Sequence, residues 1–111
     1  MKKLVSLIIA TMFFIPAVSF AKENTNKVCS YISTFAEAVM TLRQEGVKMS
    51  TQIEALDVFK SSPPEIRKLF KGIIIAAYSM PRFSTESVKR ETIQEFSNMV
   101  YLECIKRTME D

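Results

Sequence analysis

The stretch "SSPPEIRKLFKGIIIAAYSMP", Ser61 to Pro81, decides the fold. Its core, "GIIIAAY" (Gly72–Tyr78), is short, apolar and β-branched, and alone it reads as a buried strand as readily as a helix. The residues before it arbitrate. Ser62 can cap a helix, Pro63 sits where a missing N–H costs nothing, and Glu65 completes a capping box three residues after Ser62. Ile66, Leu69, Phe70, Ile73 and Ala77 then share one helical face. Ile74 and Ile75 widen that face until the helix is apolar nearly all round. Continuity with the capped pattern favours helix, and Pro81 ends it. Gly72 in mid-helix costs about 1 kcal/mol against alanine, so its expected use is to let another helix approach.

Working outward, the same period appears on both sides. In "VCSYISTFAEAVMTLRQEG", Val28, Ile32, Phe35, Val39 and Leu42 recur at steps of four and three, with Cys29, Ala36 and Met40 beside them. Gly46 stops this helix as a C-terminal cap, with Arg43 in its last turn. "VKMSTQIEALDVFK" predicts a short helix, capped by Ser50 or Thr51, with Thr51 and Glu54 as a box and Ile53, Leu56 and Phe59 as a narrow apolar edge. "RFSTESVKRETIQEFSNMVYLECIKRTMED" predicts a long one, capped by Ser84 or Thr85, with Phe83 placed to staple onto Val88. Ile93, Phe96 and Val100 point inward, Cys104 continues that stripe, and Leu102, Ile105 and Met109 make a second. The pattern predicts an all-α domain: a small four-helix bundle, three helices long and one short.

The chain opens "MKKLVSLIIATMFFIPAVSFAKEN". Lys2 and Lys3, the apolar run Leu4–Ile15, and small Ser19 and Ala21 form the three-part layout of a secretory signal peptide cut after Ala21. Pro16 and Ser19 interrupt the run before the roughly 20 apolar residues that a spanning helix needs. The expected organisation is therefore a leader over 1–21 and one helical domain over 22–111, with no stable membrane anchor after cleavage and a periplasmic or secreted location. The whole chain carries +3, and Lys2 and Lys3 supply two of those charges, which leaves +1 for 22–111. Such a near-neutral domain offers no electrostatic case for nucleic acid, and no long run of basic residues appears in it.

Two cysteines in an exported chain pair by default, and Cys29–Cys104 is the one intramolecular pairing available. The alternatives lack partners. The chain has no histidine, so a thiol nucleophile has no ordinary base and a metal site lacks its commonest ligand. The bridge would close a loop of 75 sequence steps and join the start of the first long helix to the end of the last. In an up-down-up-down bundle those points share one end.

Without histidine, acid–base chemistry would fall to carboxylates, lysine or tyrosine. Glu91 and Glu95, or Glu86 and Arg90, are one helical turn apart, a spacing common on any solvated helix. No glycine-rich phosphate loop or nucleophile elbow is present, so the chain reads as no enzyme and needs no cofactor and no metal. Met40, Met49, Met80, Met99 and Met109 are scattered and are expected to fill the core. The most distinctive stretch is "AYSMPRFS" (Ala77–Ser84), where Tyr78 and Phe83 flank Arg82 at a tight connection, the composition of an interaction hot spot.

"RQEGVKM" (Arg43–Met49), "AYSMPRFS" and "QEFSNMVYLEC" (Gln94–Cys104) resemble segments of small exported helical proteins of Gram-negative bacteria and their phages. That resemblance implies export and a bridged all-helical fold, and it carries no activity, ligand or catalytic residue. The leading expectation is a non-enzymatic module that binds another protein, such as an inhibitor, an immunity-type or an envelope-stress factor, with Tyr78, Arg82 and Phe83 at its docking face. The alternative is a carrier of a small apolar ligand or lipid, lined by the apolar third helix.

Overall fold

The run Gly72–Tyr78 is helical, and with it the whole described chain is all-α. The computed structural model describes residues 25–110, and the leader expected over residues 1–21 lies outside them. Four helices follow one another: α1 (residues 25–44), α2 (Met49–Ala55) continued by a 3₁₀ turn (Leu56–Phe59), α3 (Pro64–Tyr78) and α4 (Glu86–Glu110). The described residues contain no strand.

Helix α1 ends as its glycine predicts. Gly46 takes φ +92°, a left-handed conformation that costs a residue with a Cβ about 1–2 kcal/mol. There the Gly46 N–H donates to the Arg43 carbonyl (3.1 Å) and the Val47 N–H to the Leu42 carbonyl (3.0 Å). This pair of bonds is the Schellman motif, and it satisfies carbonyls that the last turn would otherwise leave open.

The N-terminal boxes do not form as expected. Helix α3 starts at Pro64 with Pro63 as its N-cap, and α2 starts at Met49 with Lys48 as its N-cap; neither cap makes a side-chain hydrogen bond. Ser62 therefore lies one residue too early, and Thr51 is already inside its helix. The start of α3 is set by the fixed φ of two prolines. Helix α2 is fixed by packing instead, as a helix this short must be.

Helices α1 and α4 lie antiparallel. The Cys29–Cys104 disulfide joins them at one end, with Cα atoms 5.6 Å apart. The Ser97 hydroxyl donates to the Ser33 carbonyl at 3.0 Å one to two turns in from the bridge, and the Phe83 N–H donates to Gln44 Oε1 at 2.8 Å at the other end. Helices α2 and α3 pack on one side of this pair. The core they enclose is Ala36, Val39, Met40, Leu56, Ile73, Ile74, Ala77 and Phe96. Phe70 joins the layers, stacked on Phe35 (centroids 4.2 Å) and edge-on to Phe59 (5.0 Å).

Three expectations need correction. The buried residues of α1 are Cys29, Ala36, Val39, Met40 and Gln44; of the expected inward face Val39 is buried and Ile32 and Phe35 pack against the core, whereas Val28 and Leu42 are substantially exposed. Cys29 meets α4 through the disulfide, and Leu42 lies instead in the open surface beside α2. Gly72 admits no helix, since nothing lies within 4 Å of where its Cβ would stand. It sits on the solvent side of α3. Of the five methionines expected in the core, Met40 is buried and Met80 packs against it, but Met49, Met99 and Met109 are exposed.

Candidate functional site

The residues singled out at the α3–α4 connection meet the end of α1. Tyr78 donates from its hydroxyl to the Val47 carbonyl (2.6 Å) and accepts from Gln52 Nε2 (2.7 Å), while the Arg43 guanidinium lies 5.0 Å from its ring centroid. Arg43 also donates from Nη2 to the Met80 carbonyl at 3.1 Å. Gln44 Nε2 donates to the Pro81 carbonyl (3.0 Å), and the Nε of Arg82 donates to the Gln44 carbonyl (3.0 Å). Phe83 is half-buried with its N–H held by Gln44. The structure thus brings Tyr78, Arg82 and Phe83 together as a lash that fastens the connection onto α1. The Tyr78 hydroxyl, the Arg82 Nε and the Phe83 N–H are spent inside the chain. Sequence reasoning passed over the residue at the centre, Gln44, which is 1% exposed. Its signal was its place one turn after Met40 on the buried column of α1.

The free surface lies elsewhere. Tyr31, Phe35, Ala38 and Leu42 recur at steps of four, three and four along α1, so they form one stripe about 16 Å long at 1.5 Å per residue. Helix α2 and the 3₁₀ turn run beside this stripe without covering it. Between them lies an open groove of about 380 Å³ lined by Phe35, Ala38, Leu42, Thr51, Ala55 and Val58, with Val39, Leu56 and Ile74 beneath. Tyr31 is 70% exposed, Val58 is 78% exposed and Leu42 is 38% exposed. Gln52, which also lines it, spends its amide on the Val39 carbonyl (3.1 Å) and on Tyr78.

Chemically this groove offers apolar area and almost nothing else. It can accept aliphatic or aromatic side chains, and its lining presents no group placed to move a proton. The groove exists because α2 and its 3₁₀ extension are short, so they cover only part of the wide apolar face of α1. No protein-family model, curated protein or solved structure matches the chain.

On the other side of the α2 arm a second trough, of about 360 Å³, runs between that arm and α3. It is lined by Ile53, Leu56, Ser62 and Pro64 together with Lys60, Arg67, Lys68 and Lys71. Arg67, Lys68 and Lys71 are neighbours on α3, and the turn at Ser61–Pro63 brings Lys60 to them. Across the described residues no helix is long and apolar enough to cross a membrane.

Proposed function

We propose that this is an exported, non-enzymatic module that binds another protein, and that the partner lays an apolar helix face into the groove between α1 and α2. The observation that carries this reading is the strip Phe35–Ala38–Leu42, half-buried at Phe35 and exposed at Ala38 and Leu42, which with exposed Val58 lines an open slot. Apolar surface left in a continuous, aromatic-edged strip marks an interaction site more often than a solvated face. A groove between two helices also suits a third helix, read as anchors at steps of three and four. Export is supported by the leader layout of residues 1–21 and by the Cys29–Cys104 bridge, which belongs to an oxidising compartment. On this reading the location is periplasmic or secreted.

The carrier alternative has one observation in its favour, the apolar lining of the same groove. It is weaker because the slot is open along its length, so a lipid chain would keep one side in water. The expected α3 contribution is also small: Ile73 and Ala77 are buried in the core, and Ile74 alone reaches the slot.

A photo-crosslinking residue placed at Leu42 or Val58 tests the proposal against the same residue at Glu91 on α4. Protein adducts at the first two positions and not at the third are expected, and Val58→Asp should abolish adducts from Leu42. Saturable uptake of a fluorescent fatty acid, blocked by Val58→Asp and without protein adducts, would establish the carrier instead.

A further inference from the structure

We infer that the trough between the α2 arm and α3 is a second docking site, which takes an acidic, extended segment of the same partner protein with one apolar residue seated at its floor. This rests on the reading of the chain as a protein-binding module. Four cations meet here: Lys60 in the turn after the 3₁₀ segment, and Arg67, Lys68 and Lys71 on α3. Arg67 and Lys71 stand one helical turn apart, where like charges repel and destabilise the helix. The residues 60–71 contain a single carboxylate, Glu65, and it does not line the trough. Glu54 and Asp57, the carboxylates of the α2 arm, do not line it either and are exposed. The ion pairs among the described residues, Lys89–Glu86 and Lys106–Glu103, both lie on α4. A concentration of uncompensated charge around an apolar floor is a field that attracts an anionic ligand and steers its approach.

The shape selects among anions. The four exposed cations line a concave trough together with half-buried Ile53 and buried Leu56, which form its floor. A flat anionic bilayer meets the rim charges and not the floor. An extended acidic segment meets both, carboxylates to the rim and one apolar side chain to the floor. Arg67 adds a planar fork that matches a carboxylate in two bonds. Leu56 lines both grooves, so a partner that fills the apolar slot on one side of the α2 arm can pass its acidic segment along the other.

The test uses the bridged protein and a fluorescent short peptide of aspartate and glutamate with one central leucine, followed by anisotropy. Binding is expected, with at least about tenfold loss when asparagine and glutamine replace the acids, and a similar loss when salt rises from about 0.05 to about 0.5 M. Arg67→Gln with Lys71→Gln should weaken binding at least about tenfold without lowering the melting temperature, because both side chains are exposed. Lys106→Gln should leave it unchanged. Equal affinity in the double variant would overturn the inference. So would binding to phosphatidylglycerol vesicles in place of the peptide, or self-association that the double variant abolishes, which would make a second copy the occupant. Val58→Asp should not alter peptide affinity. Failure of crosslinking in the apolar groove and failure at this trough are therefore read separately.

Discussion

At one end of the α1–α4 pair, Arg43, Gln44 and Arg82 tie the α3–α4 connection to the last turn of α1 through side-chain hydrogen bonds. At the other end, Cys29 and Cys104 close the pair with one covalent bond. The difference follows from what lies between the helices. Near the lash, α3 and the α2 arm complete a core around Val39, Met40, Ile74 and Ala77, and buried polar groups find partners there. Toward the bridge, Val28, Tyr31, Tyr101 and Leu102 are all substantially exposed, and Met109 is 81% exposed. Two helices alone bury too little apolar surface to stay paired, and a staple substitutes for packing where a small domain runs out of core.

The largest effect should come from removing the staple. Replacing Cys29 and Cys104 together by alanine releases a loop of 75 residues, which chain-entropy arithmetic values at about 4.5 kcal/mol. Urea melts of the two forms measure it. Against a total stability of roughly 5–15 kcal/mol, that loss leaves a marginal protein. Hydrogen exchange sharpens the comparison: amides near Ser33 and Ser97 should lose more protection than those of Val47 and Ser79 at the lashed end. Equal loss at both ends would mean that the bridge holds the molecule as a whole.

The lash should come next. Gln44→Ala leaves the Phe83 N–H and the Pro81 carbonyl without their side-chain partner, and an unsatisfied buried group costs about 1–3 kcal/mol. We expect about 2–3 kcal/mol in a thermal melt. Residues 29 and 44 lie about 22 Å apart along α1 by helical rise, too far to share partners. The losses should therefore add within about 0.5 kcal/mol when the bridge and Gln44 variants are combined. A larger coupling would show that the two ends fold as one unit.

The bridge was legible from the sequence because its logic is compartment and count: two cysteines, a leader layout and no histidine. The helices were legible because the apolar residues kept a 3.6-residue period from Val28 to Val100. What sequence could not fix was rotation. On α1 the expected stripe Val28–Leu42 and the column Cys29–Ala36–Met40–Gln44 lie about a third of a turn apart, and the burial falls across both, with Val39 from the first and the whole of the second. The site was hidden for the same reason. Phe35 and Leu42 read as core until the α2 arm proves too short to cover them, and Tyr31 and Ala38 beside them carried no signal of their own; Arg67, Lys68 and Lys71 are neighbours on α3, and the turn at Ser61–Pro63 brings Lys60 to them. Tyr78, Arg82 and Phe83 stood out because they are distinctive, and the structure adds hydrogen bonds from all three to residues at the end of α1 or just past it.

The smallest effect in this series separates the lash from the groove. Arg82 is exposed, and its Nε donates to the Gln44 carbonyl at 3.0 Å, one of the acceptors that the end of a helix leaves open. Its guanidinium lies over Gly46, within 2.9 Å of where a Cβ on that residue would stand. Arg82→Ala removes one charge-assisted bond, and water can take the vacated carbonyl. The expected loss is about 1 kcal/mol, toward the middle of the range for a single hydrogen bond. Arg82→Lys should recover part of it, because a cation near the C-terminal end of α1 still opposes the helix dipole. Both variants should leave crosslinking at Leu42 and Val58 at wild-type yield. A melt that does not move, together with lost partner capture, would put the docking face at the α3–α4 connection and displace the groove.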